Sequence, residues 1–388
     1  MFQFATATQI VFGAGALARL STLARGLGQR ACLVLGESER HREQASALLQ
    51  AAQVHVHIAR IAGEPSVEDV LELIVGARQQ GCDFVVGIGG GSVIDGAKAL
   101  AALLANPGDP LDFLEVVGRG QPLRQPSLPF IAIPTTAGTG AEVTKNAVLS
   151  AATLAAPEQR VKVSLRSDGM LPRLALIDPD LTLSMPPALT AATGLDALTQ
   201  CLEPFVSCKS NPITDALSRQ GLERAAASLR RAFHDGSDRA ARSDMALVSL
   251  FGGLSLANAK LGAVHGFAGP IGGRYPAPHG AVCARLLPLV VDSNVRALRA
   301  RAPQHPSLAR YADVARILTG SNGADALDAV GWLTELVEEL QVPRLGSYGL
   351  DESAVPELVA RAQLASSMLG NPIPLTPEEL ARTLSAAI

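Results

Sequence analysis

Strand-like runs alternate with helix-like runs through the first half of this chain, and then the strands stop. The short β-branched or apolar runs are "ACLVLG" (31–36), "VHVHIARI" (54–61), "DFVVGIG" (83–89), "PFIAIP" (129–134) and "LALIDP" (174–179). Between them, residues 14–27, 40–52, 66–80 and 92–105 carry apolar residues at helical spacing. Such alternation predicts a mostly parallel sheet covered by helices on both faces. After "DPDLTLSMPP" (178–187) only Ala/Leu/Arg-rich helical stretches follow, at 188–206, 212–232, 238–263, 283–300, 307–318, 324–340, 353–367 and 376–387. The spacing therefore predicts an α/β domain over residues 1–182 and an all-helical domain over residues 183–388.

"DFVVGIGGGSVIDGAKAL" (83–100) reads as strand, glycine loop and helix start. Gly89, Gly90 and Gly91 would let the backbone approach a ligand closely and adopt positive φ, with Ser92 as the N-cap. Helix N-termini of this kind offer free N–H groups to an anion, most often a pyrophosphate. An unliganded tight turn reads equally well from this loop alone. "IPTTAGTGAEVTKNAVL" (133–149) adds Thr135, Thr136 and Thr139, again after a strand. Both loops would meet at the carboxyl edge of one sheet, where α/β folds bind ligands. Glu37 follows the run 31–35 and could accept bonds from ribose hydroxyls, which favours NAD; Ser38 and Arg40 leave NADP open.

In "GLDALTQCLEP" (194–204), Asp196 and Gln200 stand four residues apart, on one face of a predicted helix. "GAVHGFAGPIGGRYPAPHG" (262–280) holds His265 and His279, joined by a Gly/Pro-rich stretch read here as a loop that doubles back. Each histidine alone reads as an ordinary core or surface residue. Together with Asp196 they would form a carboxylate–imidazole set suited to Fe²⁺ or Zn²⁺. Arg274 could clamp a carboxylate and Tyr275 relay a proton, although a solvated Arg and a packing Tyr fit equally well.

Composition narrows the alternatives. With 48% hydrophobic and 18% charged residues, the 388-residue chain is core-rich, not disordered. A net charge of −3 argues against nucleic acid or an anionic membrane as partner. The five scattered cysteines predict no disulfide framework, and "MFQFATATQIVFG" shows no secretory signal, so a cytoplasmic protein is expected.

"GGGSVIDGAKA", "PTTAGTGAEVT", "GLDAL…EPFVS", "HGFAGPIGGRYPAPHG" and "SSMLGNPIPLT", in that order, resemble the iron-containing (group III) alcohol dehydrogenase family, which includes maleylacetate reductases. The resemblance implies a dehydroquinate synthase-like architecture: an N-terminal dinucleotide-binding α/β domain, an all-α C-terminal domain and an active site in the cleft between. It also implies NAD(P) on Gly89, Gly90, Gly91, Ser92, Asp95, Thr135, Thr136 and Thr139, with Lys162 near the cofactor, and a homodimer acting on a small alcohol, aldehyde or keto-acid. The family's metal site has one Asp and three His. Carried over, these are Asp196, Gln200, His265 and His279, so an amide replaces one imidazole. A further family histidine is replaced by Gly269. Exchange of imidazole nitrogen for amide oxygen is expected to weaken Fe²⁺ or Zn²⁺ binding and favour Mn²⁺ or Mg²⁺. His265, His279 and Tyr275 are the expected catalytic groups. The leading reading is metal-assisted hydride transfer between nicotinamide and an alcohol or carbonyl. The competing readings are a metal-free keto-acid reductase and a non-catalytic dinucleotide-binding protein.

Overall fold

A computed structural model of the chain describes residues 1–115, 117–152 and 160–388. Its strands are β1 (Ile10–Phe12), β2 (Arg30–Leu35), β3 (His55–Arg60), β4 (Phe84–Gly89), β5 (Phe130–Pro134), β6 (Asn146–Ala152), β7 (Arg160–Arg166) and β8 (Leu174–Ile177). Its α-helices in the first half are α1 (Leu20–Leu23), α2 (Arg42–Ala51), α3 (Val67–Gln79) and α4 (Gly91–Ala105). Those that follow are α5 (Pro187–Val206), α6 (Pro212–His234), α7 (Arg239–Ala259), α8 (Ala263–Arg274), α9 (His279–Arg301), α10 (Pro306–Thr319), α11 (Asp328–Glu339), α12 (Val355–Leu364) and α13 (Pro377–Ala387).

Two compact units emerge. One comprises Ala5–Thr136 and Ala141–Thr182; the other comprises Met1–Phe4, Ala137–Gly140 and Leu183–Ile388. The first is built on a parallel six-stranded sheet in the order β1-β8-β5-β4-β2-β3. β4 and β5 are buried along their whole length, which is why they read as continuous apolar runs. A buried Val or Ile in such a strand contributes roughly 1.5–3 kcal/mol. α3 starts at Ser66, whose hydroxyl accepts from Asp69 N at 3.0 Å while the Asp69 carboxylate accepts from Ser66 N at 2.8 Å. This capping box satisfies donors that the helix leaves free.

Two features escaped the periodicity. β1 has only three residues and lies at the sheet edge, too short to show a pattern. β6 and β7 form an antiparallel pair outside the main sheet. The fully buried Lys98 ties α4 to this region, donating to Ala141 O at 2.7 Å, Thr144 Oγ1 at 2.9 Å and Asn146 O at 2.8 Å. Burial pushes its pKa down to about 8 and that of buried Glu142 up to about 7.

The second unit is helical. Its core is a single cluster of Leu, Val, Ala and Phe side chains that includes Leu195, Leu198 and Leu202 of α5 and Val264, Phe267 and Leu287. The stretch 262–275, expected as a loop, is the helix α8 with Pro270 inside it. Gly and Pro lower intrinsic helix propensity, but tertiary packing overrides it: a Cβ on Gly266 would stand 2.8 Å from Met368 Cε. The following helix also begins earlier than expected, at His279. Among the described residues, no single helix is long and apolar enough to cross a membrane.

Candidate active site

The strand order reverses at β2. The chain moves outward from β2 to β3, then β4 returns to the opposite side of β2. Ligands bind α/β sheets outside the carboxyl ends of strands at such a switch point. Glu37 lies exposed just beyond β2, Gly90 to Ser92 follow β4, and Thr135 and Thr136 follow β5. These strands are adjacent, so the three segments share one edge. Thr135 N donates to Gly89 O at 2.9 Å, which joins the two loops directly.

Gly90, not Ser92, is the N-cap of α4, and no side chain caps it among the described residues. None of Gly89, Gly90 or Gly91 has positive φ. The requirement at Gly89 is space instead: a Cβ there would lie 2.5 Å from Val93 Cγ2. Uncapped helix N-termini leave backbone donors of the first turn that suit an anion. Other expected cofactor residues have protein partners. Asp95 Oδ2 accepts from Val148 N at 3.1 Å, and Lys162 Nζ donates to Glu64 Oε1 at 2.6 Å. Thr139 belongs to the helical unit, between Gly138, packed on Thr193, and Gly140, packed on Gly253.

The helical unit brings Asp196 of α5, His265 of α8, and His279 and Cys283 of α9 together. One donor atom from each lies within 4.8 Å of all the others. Asp196 Oδ1 is 3.3 Å from His265 Nε2 and 3.8 Å from His279 Nε2. Cys283 Sγ is 3.7 Å from His265 Nε2 and 3.6 Å from His279 Nε2. Gly280 makes the approach feasible, because a Cβ there would stand 2.3 Å from Ala192 O on α5.

Charge is concentrated here away from water. Asp196 is 2% exposed and Cys283 is fully buried. Burial acts to raise the Asp196 pKa, but the hydrogen bond from His265 and the positive charges of His279 and His265 hold it below the usual carboxylate range. Burial opposes charging His265, yet Cys283, Asp196 and Glu203 together keep its pKa well above the ordinary value. The neighbouring Cys283 likewise raises the pKa of His279. Such a set takes up protons or a cation, and a metal ion must displace the protons.

Glu203, one turn beyond Gln200, orients the histidine. Its Oε2 is 2.7 Å from His265 Nδ1, and its Oε1 accepts from Val264 N at 2.8 Å. Asn371, from the "SSMLGNPIPLT" segment, accepts from Ala263 N at 3.2 Å. Both side chains satisfy donors at the start of α8 and fix its position. Holding the proton on Nδ1 leaves Nε2 as the ligating atom.

Gln200 occupies the same face of α5 as Asp196, as the spacing predicts, but its amide nitrogen faces the carboxylate, donating to Oδ2 at 3.0 Å. Its Oε1 is buried and has no hydrogen-bond partner among the described residues. Tyr275 ends α8 and packs partly buried against the core, with the Arg274 guanidinium 5.5 Å from its ring centroid. Arg274 is ion-paired with Glu357, both about half exposed. Cys283 and Glu203 were missed by sequence reasoning. The signal was present: Cys283 follows His279, and Glu203 follows Asp196, at helical spacings of four and seven.

A parallel sheet with glycine- and threonine-bearing loops on its carboxyl edge, and a helical unit carrying an Asp–His–His–Cys cluster, define a class of two-part α/β and all-α enzymes with a metal-ligand set. The sequence matches the iron-containing alcohol dehydrogenase family over residues 7–179 and the C-terminal region of that family over residues 190–388. The chain belongs to this family and is an oxidoreductase acting on alcohols. It is 35% identical over 324 residues to alcohol dehydrogenase 4 of Saccharomyces cerevisiae, covering 83% of this chain and 80% of the yeast protein. The fold is similar to that of a 1,3-propanediol oxidoreductase, with a TM-score of 0.91 at 31% identity and complete coverage of both chains. It is also similar to a sulfoacetaldehyde reductase from Bifidobacterium kashiwanohense solved in complex with NAD⁺, with a TM-score of 0.85 at 28% identity, covering 99% and 98% of the two chains. Neither a metal-free keto-acid reductase nor a non-catalytic dinucleotide-binding protein is favoured by these likenesses.

Proposed function

We propose that this protein is a metal-assisted, NAD-dependent dehydrogenase of small alcohols that also reduces the corresponding aldehydes or ketones. The carrying observation is the buried convergence of Asp196, His265 and His279 from three helices. Two imidazoles, a carboxylate and a neighbouring thiol suit a divalent transition metal. One donor atom from each of these four side chains lies within 4.8 Å of the others, close enough to share one ion. A divalent ion held there would supply Lewis acidity toward the substrate oxygen.

The chain's own groups supply binding and orientation. Asp196 provides the negative charge that offsets a cation, and Glu203 fixes the ring of His265. The His279 side chain is 35% exposed, so substrate reaches the cluster from its side. A Cβ on Gly269 would meet no atom within 4 Å, which leaves room for the substrate's carbon chain one turn beyond His265. On the other unit, the first turn of α4 receives the pyrophosphate, while Thr135 and Thr136 flank it. Glu37 accepts from the ribose hydroxyls, which selects NAD over NADP. The homodimer implied by family resemblance and the cytoplasmic location expected from the scattered cysteines belong to the same proposal, and light scattering tests the dimer.

A panel of primary alcohols and aldehydes, assayed with NAD or NADP after loading with Fe²⁺, Zn²⁺ or Mn²⁺, tests the reading. Metal-dependent turnover with NAD, abolished in Asp196→Ala, is the expected result. Full activity in chelator-stripped Asp196→Ala would overturn it.

A further inference from the structure

We propose that Cys283 is the fourth metal ligand of this site, and that Gln200 positions Asp196 without binding the ion. This assignment rests on the metal-dependent reading above, and puts sulfur where the family resemblance puts the Gln200 amide oxygen.

The argument is geometric. Zinc binds thiolate sulfur at about 2.3 Å and imidazole nitrogen or carboxylate oxygen at about 2.0–2.1 Å, in a tetrahedron. Those lengths require ligand-to-ligand edges of about 3.6 Å for nitrogen to sulfur and about 3.3 Å for nitrogen to oxygen. Cys283 Sγ lies 3.7 and 3.6 Å from the two histidine Nε2 atoms, and Asp196 Oδ1 lies 3.3 Å from His265 Nε2. The Asp196–His279 edge, at 3.8 Å, is longer than that standard by about half an ångström, and all four donor atoms lie within 4.8 Å of one another. Three edges of a tetrahedral frame, two of them to Cys283 Sγ, therefore already stand at ligand spacing.

Gln200 is placed differently. Its nitrogen is held by Asp196 Oδ2, and its Oε1 lies toward Gly252, 3.5 Å from where a Cβ on that residue would stand. Held as it is, the amide fixes Oδ2 and leaves Oδ1 facing the two histidines. His279 and Cys283 are i and i+4 on α9, so one helix face delivers both. A sulfur ligand softens the site and favours Zn²⁺ or Co²⁺ over Mn²⁺ and Mg²⁺, the reverse of the preference an amide oxygen would give.

The test is optical. The full-length protein is stripped with chelator under reducing conditions, reloaded with one equivalent of Co²⁺, and scanned for the near-ultraviolet thiolate-to-cobalt charge-transfer band. Wild type is expected to show the band. Cys283→Ser and Cys283→Ala are expected to lose it and to bind Zn²⁺ at least tenfold more weakly by chelator competition. Stoichiometric cobalt without the band in wild type, or a band that survives in either variant, overturns the Cys283 assignment while leaving the metal site standing. Failure of wild type to hold cobalt or zinc at all overturns both. The wild-type spectrum decides the question even if a variant does not fold.

Discussion

Glu203 and His265 are bound at 2.7 Å in the interior of the helical unit, with Glu203 4% and His265 9% exposed. The same carboxylate also accepts from the backbone of Val264, so it fixes both the ring and the helix that carries it. Glu203→Gln keeps the size but removes the charge. Metal affinity is expected to fall about 10–100-fold with the fold retained. Chelator competition with circular dichroism checks this, and unchanged affinity would refute the positioning role.

Asp196 and Gln200 differ in what each loses on substitution. Asp196→Asn removes the only carboxylate among the four clustered donors and is expected to abolish stoichiometric metal binding. Gln200→Leu removes the 3.0 Å bond to Oδ2 and is expected to weaken affinity by about tenfold while preserving stoichiometry. Metal analysis after gel filtration separates the cases; equal loss in both variants would make Gln200 a ligand.

Gly280 lets α9 press against α5. In Gly280→Ala the new methyl would meet the Ala192 carbonyl, which is backbone and cannot swing aside. A stability loss of about 1–3 kcal/mol is expected, with weakened metal binding because His279 and Cys283 shift together. Urea unfolding and zinc titration of the same sample report both effects.

At the first unit's loop, a Cβ on Gly90 makes only ordinary contact, 3.4 Å from Thr136 Cγ2. Gly90→Ala should therefore fold normally yet place a methyl where the pyrophosphate approaches the backbone. The KM for NAD is expected to rise about tenfold or more, with the melting temperature nearly unchanged. A normal KM would move the dinucleotide away from this loop.

Glu142 gives stability a pH dependence. Burial raises its pKa from 4.5 to about 7 in the folded chain, so the native state binds the proton more tightly than the unfolded state. Its contribution is fully present below about pH 4.5 and is lost as pH rises through about 7. In Glu142→Gln the fall in stability between those values should flatten, by up to about 1.4 kcal/mol per pH unit. Urea midpoints at pH 5 and pH 7 measure the difference between the two proteins.

Much of the fold was legible because burial leaves a periodic trace. β2 and β4 read as apolar runs since both faces of a parallel strand are covered. α8 did not, because its glycines and Pro270 are poor helix formers that close packing nevertheless accommodates. At the site, Asp196 and the two histidines were legible as residue types in a familiar order. Cys283 was not, since the predicted start of its helix fell at residue 283 and hid its spacing from His279.

The sequence by itself determined the α/β-to-helical change, the two loops that follow β4 and β5 and three of the clustered metal-ligand candidates, because periodicity and spacing are local properties of the chain. Only tertiary structure decided which atom of Gln200 faces Asp196, which carboxylate holds His265, and that a cysteine completes the cluster. Those relationships join α5, α8 and α9 across up to 87 positions of sequence from Asp196 to Cys283. No local pattern encodes them; they arise where packed helices bring distant side chains within bonding distance.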